Sequence, residues 1–125
     1  MTHDQVQRWL DDYVAAWRSS DPEAIGALFT EDAVYGYRPW DSTSHSVSGR
    51  DAIVASWLDD PDDPSTWEAS YQPYAVDGDR AVGVGRTRYH AEGEEGERIY
   101  HNAFILRFAG GRCAEFHEFY VRERH

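Results

Sequence analysis

Two runs of alternating apolar and polar residues near the C-terminal end flank a glycine-containing turn at 109–111. In the first run the even positions are mostly large and apolar, whereas the odd positions are mixed. Alternate side chains of a strand point to opposite faces, so this pattern predicts a β-hairpin over 99–121 whose even side chains face inward. The second run then places Glu118 on the inward face, between Phe116 and Tyr120.

The N-terminal half shows helical spacing instead. Apolar residues recur every three or four positions over 6–17, after a Thr2–Gln5 capping box. Asp21-Pro22 predicts the start of a second, shorter helix. A short strand is predicted over 33–37. A third helix then carries apolar residues over 53–58, with Ser48 and Asp51 as its capping box.

The remaining segments read as strands. One is predicted over 67–76, where Pro73 favours an edge position or a bulge. After a turn at 77–79, the next runs over 80–90, with Gly83 and Gly85 on one face. Three helices followed by a four-stranded antiparallel meander predict an α+β domain. A curved sheet around the helices would leave a pocket between them.

Composition narrows the function classes. The 125 residues predict one domain, 1–125. The net charge of −11 opposes binding to nucleic acids and to anionic membranes. With Cys113 as the single cysteine and no apolar run of membrane-spanning length, we expect a cytoplasmic protein. Aromatic residues make up 14% of the chain, which indicates rings that line a cavity as well as fill a core.

Glu118 has three interpretations, since burying a charge is costly unless it is paired or neutralised. In one of them it escapes burial and lies exposed at the mouth of the pocket. Among aromatic rings its pKa would rise, and it could then act as a general acid or base near neutral pH. Alternatively it forms a structural ion pair with Arg86 or Arg88, which share strand parity with Val82 and Val84.

Several short motifs occur in a characteristic order. They are Tyr13-Val14-Ala15-Ala16-Trp17, Ala27-Leu28-Phe29-Thr30-Glu31-Asp32-Ala33, Gly49-Arg50-Asp51-Ala52-Ile53, Gly85-Arg86-Thr87-Arg88-Tyr89, and Arg107-Phe108 through to Glu118-Phe119-Tyr120. In this order the chain resembles the nuclear transport factor 2-like superfamily, and within it the SnoaL-like group. The resemblance implies a cone-shaped α+β barrel, with three N-terminal helices packed on a curved, mostly antiparallel sheet. It also implies a hydrophobic pocket and a homodimer, but no single activity.

The candidate site follows from the inward positions and the resemblance. Glu118, Asn102 and Tyr13 are the candidate catalytic residues; Tyr13 matches the hydroxyl donor of ketosteroid isomerases. The positions that match the other two catalytic acids of those enzymes hold Tyr37 and Phe104, so that mechanism is not expected. The candidate ligand-binding residues are Trp17, Tyr35, Tyr37, Trp40, Trp57, Arg86, Phe104, Phe116 and Tyr120.

No metal or cofactor is expected. The histidines lack metal-ligand spacing, and no glycine-rich loop leads from a strand into a helix. On the outward face of the hairpin an apolar patch predicts an isologous homodimer; its members are Ala103, Ile105, Cys113, Phe119 and Val121.

Two functions are favoured over a third, a dimeric interaction domain with a filled core, in which many Tyr hydroxyls would need buried partners. The first is a cofactor-independent isomerase, cyclase, dehydratase or epoxide hydrolase that acts on a hydrophobic oxygenated substrate. The second is a non-catalytic ligand-binding or accessory module, in which Glu118 and an arginine form a structural pair. An arginine-free Glu118 at an open cavity would favour the enzyme.

Overall fold

The protein folds into a mixed β-sheet with helices on its inner face. The structure, a computed structural model, describes residues 1–36 and 46–124. Within these residues the elements are α1 (His3–Ser19), α2 (Pro22–Gly26), β1 (Phe29–Gly36), β2 (Ser46–Ser48), α3 (Arg50–Asp59), β3 (Trp67–Asp77), β4 (Arg80–Tyr89), β5 (Arg98–Ala109) and β6 (Arg112–Arg122). The six strands lie in the order β2-β1-β6-β5-β4-β3. The α+β class is therefore confirmed.

The order of helices and strands differs in part from the prediction. Only α1 and α2 precede the sheet, because α3 follows β1 and β2. Strand β1 begins at Phe29, earlier than expected, and β2 was not predicted. The sheet is mixed because β1 runs parallel to β6, while the other neighbouring strands are antiparallel.

The predicted caps of the first two helices are present, but that of the third is not. The Thr2 side chain accepts from the Gln5 N–H, and the Gln5 side chain accepts from the Thr2 N–H. Asp21 caps α2. The predicted Ser48–Asp51 box is wrong, since Ser48 pairs within the sheet and Gly49 is the residue that precedes α3.

The hairpin of β5 and β6 has the predicted inward face over most of its length. The inward positions of β5 from Asn102 to Phe108 are buried, and Phe104 lies opposite Glu118. Near the turn, a bulge places Cys113 opposite Phe108. The expectation that Cys113 faces outward is therefore wrong, because the extra residue of the bulge reverses the alternation, and Cys113 is fully buried.

Two glycines on β4 allow close approach by a helix and by the neighbouring strand β3. A Cβ atom on Gly83 would lie 3.3 Å from the Leu10 side chain of α1, and one on Gly85 would collide with the backbone around Tyr71. The predicted irregularity at Pro73 is also confirmed, as a register shift on the edge strand β3.

Stacked aromatic rings form the core between α1 and the sheet. Tyr35 stacks on Phe116 with ring centroids 4.5 Å apart, and Tyr13 stacks on the same ring at 5.2 Å. Phe104 packs against Phe116 at 4.9 Å. In the part of the chain that the structure describes, no helix is long and apolar enough to span a bilayer.

Candidate functional site

A cavity of about 770 Å³ opens between the helices and the inner face of the sheet. Seven of the predicted site residues line it: Tyr13, Trp17, Tyr35, Trp57, Asn102, Glu118 and Tyr120. They come from α1, β1, α3, β5 and β6. Helix spacing and strand alternation thus bring together side chains that are far apart in the sequence.

Other predicted lining residues lie elsewhere. Phe104 and Phe116 have no exposed surface and belong to the core behind the cavity wall. Alternation along a strand predicts which side chains face inward, but it does not predict whether they pack in the core or border a cavity. Tyr37 and Trp40 lie outside the described residues.

The predicted role of Arg86 is wrong, because Arg86 is exposed on the outer face of β4. Residues directly opposite in an antiparallel pair share a face. On β4, Thr87 lies opposite Tyr100 and Gly85 lies opposite Asn102, so these positions face inward and Arg86 between them faces outward. Arg88 also points outward, where it pairs with Glu97. Neither arginine therefore reaches Glu118.

The Glu118 carboxyl is held by an amide instead of a cation. The Asn102 Nδ2 donates to Glu118 Oε1 over 2.9 Å. Among residues 1–36 and 46–124, no Lys, Arg or His forms an ion pair with Glu118. The structural Glu–Arg pair is thus not found in the described part of the chain.

Burial raises the pKa of the Glu118 carboxyl from 4.5 to about 7, and the hydrogen bond from Asn102 opposes part of this rise. The cause is desolvation, which disfavours the charged form. Both protonation states are consequently populated near neutral pH, as general acid–base chemistry requires.

Two residues that the sequence analysis missed, Tyr71 and Thr87, continue this hydrogen-bond chain. The Thr87 hydroxyl donates to Asn102 Oδ1 over 2.9 Å, and the Tyr71 hydroxyl lies 2.5 Å from Thr87 Oγ1. The face shared by Gly83 and Gly85 could have identified Thr87, since it is two residues further along the same strand. Tyr71 required the register between β3 and β4, where it lies opposite Gly85.

A second pair of hydroxyls also lines the cavity. The Tyr13 and Tyr35 hydroxyl oxygens are 3.1 Å apart, and both side chains are buried. Their rings rest on Phe116, which fixes the positions of both phenols. One of the two hydroxyls donates to the other, so the pair has at most one hydrogen left for an oxygen atom of a bound molecule.

The outer part of the cavity carries most of its charges. The Arg98 guanidinium lies 5.0 Å from the centre of the Tyr89 ring, and its Nε is 3.6 Å from Glu95 Oε1. Burial raises the pKa of Tyr89 to about 12, with further contributions from Asp62 and Glu118. Three exposed carboxylates also line the cavity: Asp60, Asp62 and Glu92.

Within the described residues, no group of three or more His, Cys, Asp or Glu side chains is arranged to hold a metal ion.

The raised pKa of Glu118 predicts a specific pH dependence of stability. Folding takes up a proton between about pH 4.5 and pH 7, because only the folded state keeps Glu118 protonated there. The contribution of this group to the free energy of unfolding therefore falls as the pH rises through that window, by roughly 3 kcal/mol in total. Urea denaturation at several pH values measures it. The difference between wild type and Glu118→Gln should change with pH over this range; a constant difference would contradict the raised pKa.

Comparison with known proteins agrees with this architecture. A protein described as NTF-2 like from Burkholderia xenovorans superposes with a TM-score of 0.70 at 16% identity, covering 98% of this chain and 87% of that one. A protein of ketosteroid isomerase-like fold from Catenulispora acidiphila, solved with trimethylamine, gives 0.67 at 22% identity, covering 90% and 85%. An LEH-like epoxide hydrolase of Mycobacterium tuberculosis gives 0.67 at 10% identity, covering 95% and 84%. At these identities the likeness concerns the fold alone.

Comparison with curated proteins gave no match. The SnoaL-like domain family matches residues 10–116, which is most of the chain and includes the second half of α1, the sheet up to Phe116 and most of the cavity wall. The helices, the mixed sheet and the solved neighbours agree with that match. The chain belongs to the SnoaL-like domain family, of the nuclear transport factor 2-like fold.

Proposed function

We propose that this protein binds a hydrophobic, oxygen-bearing small molecule in its cavity and catalyses a proton transfer on it without a cofactor. The observation that carries the proposal is the environment of Glu118. Its side chain is half-buried, lines an open cavity, and has an amide as its hydrogen-bond partner. A structural carboxylate would instead be expected to have a cation beside it.

Glu118 is suited to act as the acid or base. A group with a pKa near the working pH combines a useful population of each form with a favourable driving force for proton transfer. Asn102 directs the carboxyl, since its amide is engaged at both ends by Glu118 and Thr87. The phenols of Tyr13 and Tyr35 supply further polar groups in the cavity wall. There they can stabilise charge that develops on a substrate oxygen.

Isomerisation, cyclisation, dehydration and epoxide opening all fit this arrangement, because each moves a proton next to a polarised oxygen. Two of the solved neighbours are described as having a ketosteroid isomerase-like fold and as an epoxide hydrolase. A steroid isomerase mechanism with a second acid is not supported, since Phe104 occupies the matching position and lies in the core.

A second candidate is a non-catalytic binding module for a cationic ligand. Its support is the lining itself, in which aromatic rings and four carboxyl groups accompany Arg98, which already lies against Tyr89 and Glu95. Aromatic faces and carboxylates attract ammonium groups. The Catenulispora protein of similar fold was solved with trimethylamine.

We also propose that two copies associate through the outer face of β5 and β6. Ile105 is 45% exposed and Val121 is 70% exposed, while Phe119 lies between them opposite Ala103. Contiguous exposed apolar surface of this kind is typical of an interface. Cys113, which is buried, does not belong to this patch.

Turnover should depend on Glu118. Mass spectrometry of molecules that co-purify with the protein would guide a panel of ketones, enones and epoxides. NMR in D₂O would then detect deuterium uptake or ring opening. We expect Glu118→Gln to lose about 100-fold or more of the rate, the usual size of a general acid–base contribution. Glu115→Gln is the matched control, because Glu115 lies on the same strand and pairs with Arg107 outside the cavity. Full turnover by Glu118→Gln would eliminate the proposed mechanism.

The cationic-ligand candidate makes a different prediction. Choline and 3,3-dimethyl-1-butanol have nearly the same shape and differ in charge. Calorimetry should detect choline binding and no binding of the neutral alcohol if the lining selects cations. Equal affinity for both, or binding of neither, would reject this candidate and leave the enzymatic proposal unaffected.

Light scattering after size-exclusion chromatography tests the dimer. Wild type should have twice the mass of one chain, and Ile105→Glu should have the mass of one chain, because a charge within the patch would be desolvated on association. Tyr74→Glu, an exposed aromatic position on the edge strand β3, should remain dimeric. A monomeric wild type at micromolar concentration would contradict this assignment.

A further inference from the structure

The direction of the hydrogen bonds from Tyr71 to Glu118 is determined by counting protons. A threonine hydroxyl has a single hydrogen, and that of Thr87 is donated to Asn102 Oδ1. The short contact between Tyr71 and Thr87 therefore has the phenol as its donor. Burial raises the pKa of Tyr71 above its ordinary value, which already lies well above neutral pH, so the phenol keeps its proton. The chain of hydrogen bonds therefore runs in one direction, from Tyr71 through Thr87 and Asn102 to the Glu118 carboxyl.

This direction matters because the Asn102 side chain has two different ends. In the observed orientation Asn102 offers its N–H to Glu118, and an N–H donor stabilises both the ionised and the neutral carboxyl. If the amide were reversed, its carbonyl oxygen would face Glu118 and repel the ionised form. Thr87 opposes that reversal, since its donated hydrogen requires an acceptor at the other end of the amide.

The hydrogen bond also distinguishes the two carboxyl oxygens of Glu118. Oε1 accepts from Asn102, so the proton of the neutral acid belongs on Oε2. Among the described residues, no side chain donates a hydrogen bond to Oε2, and Glu118 lines the cavity. The proton that a substrate would exchange is thereby kept on one particular oxygen.

We propose that Thr87 and Tyr71 are positioning residues for Glu118: they lock the Asn102 amide, which keeps a donor on one carboxyl oxygen and directs the exchangeable proton to the other. This inference rests on the proposed function for its role in turnover. The locking itself can be measured without any substrate.

Other ionisable groups share the cavity and bear on any titration of Glu118. The charged ones are Asp60, Asp62, Glu92 and Arg98. Six phenols also line the cavity, one each from α1, β1, β3, β4, β5 and β6: Tyr13, Tyr35, Tyr71, Tyr89, Tyr100 and Tyr120. All of them are retained in the Thr87 variants described next. They therefore contribute equally to wild type and to those variants, and a shift of the midpoint reports the substitution.

The test is a carboxyl ¹³C NMR titration of Glu118 in protein with labelled glutamate, assigned by its loss in Glu118→Gln. Thr87→Val keeps the shape of the side chain but removes the donor, so Asn102 can reverse. We expect the Glu118 midpoint to rise by about one pH unit, the size of a lost hydrogen bond to a charged group. Thr87→Ser keeps the hydroxyl and should titrate as the wild type does. Tyr71→Phe should give a smaller rise, because Thr87 then has no donor that orients it.

A wild-type midpoint in Thr87→Val would overturn the positioning role, even if that variant were less stable. If Thr87→Val does not fold, Tyr71→Phe decides, and an unmoved midpoint in that variant overturns the inference equally. Once a substrate is known, Thr87→Val should lower kcat more than it raises KM, with Thr87→Ser restoring both. Should Glu118→Gln keep full turnover while Thr87→Val still shifts the titration, the proposed function fails and the positioning chain stands.

Discussion

The desolvation of one carboxyl group, that of Glu118, is the constraint on which the rest of the site depends. A buried charge without a cation is unfavourable, so the group must be neutral part of the time and must keep a hydrogen-bond donor. Asn102 supplies that donor. The register of β5 with β6 makes this possible, because Asn102 lies opposite Tyr120 and Phe104 lies opposite Glu118. Asn102 and Glu118 are thus diagonal neighbours on one face, within reach of long side chains.

The aromatic core keeps this polar group in place. Phe116 carries the rings of Tyr13 and Tyr35 on its faces, and it precedes Glu118 by two residues on β6. Close-packed interiors allow little displacement, so the phenols and the carboxyl are fixed relative to one another. Polar groups of the cavity are consequently held by the same packing that stabilises the domain.

Much of this architecture could be predicted from the sequence, because it depends on local periodicity. The inward position of Glu118 and Asn102, the caps of α1 and α2 and the irregularity at Pro73 all follow from spacing or from a single residue type. Features that depend on register could not be predicted. The bulge that buries Cys113 and the parity that turns Arg86 outward and Thr87 inward are set by pairing between strands. The parallel contact of β1 with β6 joins segments distant in the sequence and leaves no local pattern.

Because Glu118 is desolvated and lacks a cation, it should exchange its proton near neutral pH. The most direct measurement is the carboxyl ¹³C NMR titration of Glu118 in the wild-type protein. We expect a single midpoint close to pH 7. A midpoint near the ordinary value of 4.5 for a solvated glutamate, or below it, would show that water or a cation compensates the charge, and that Glu118 is not poised for proton exchange at neutral pH.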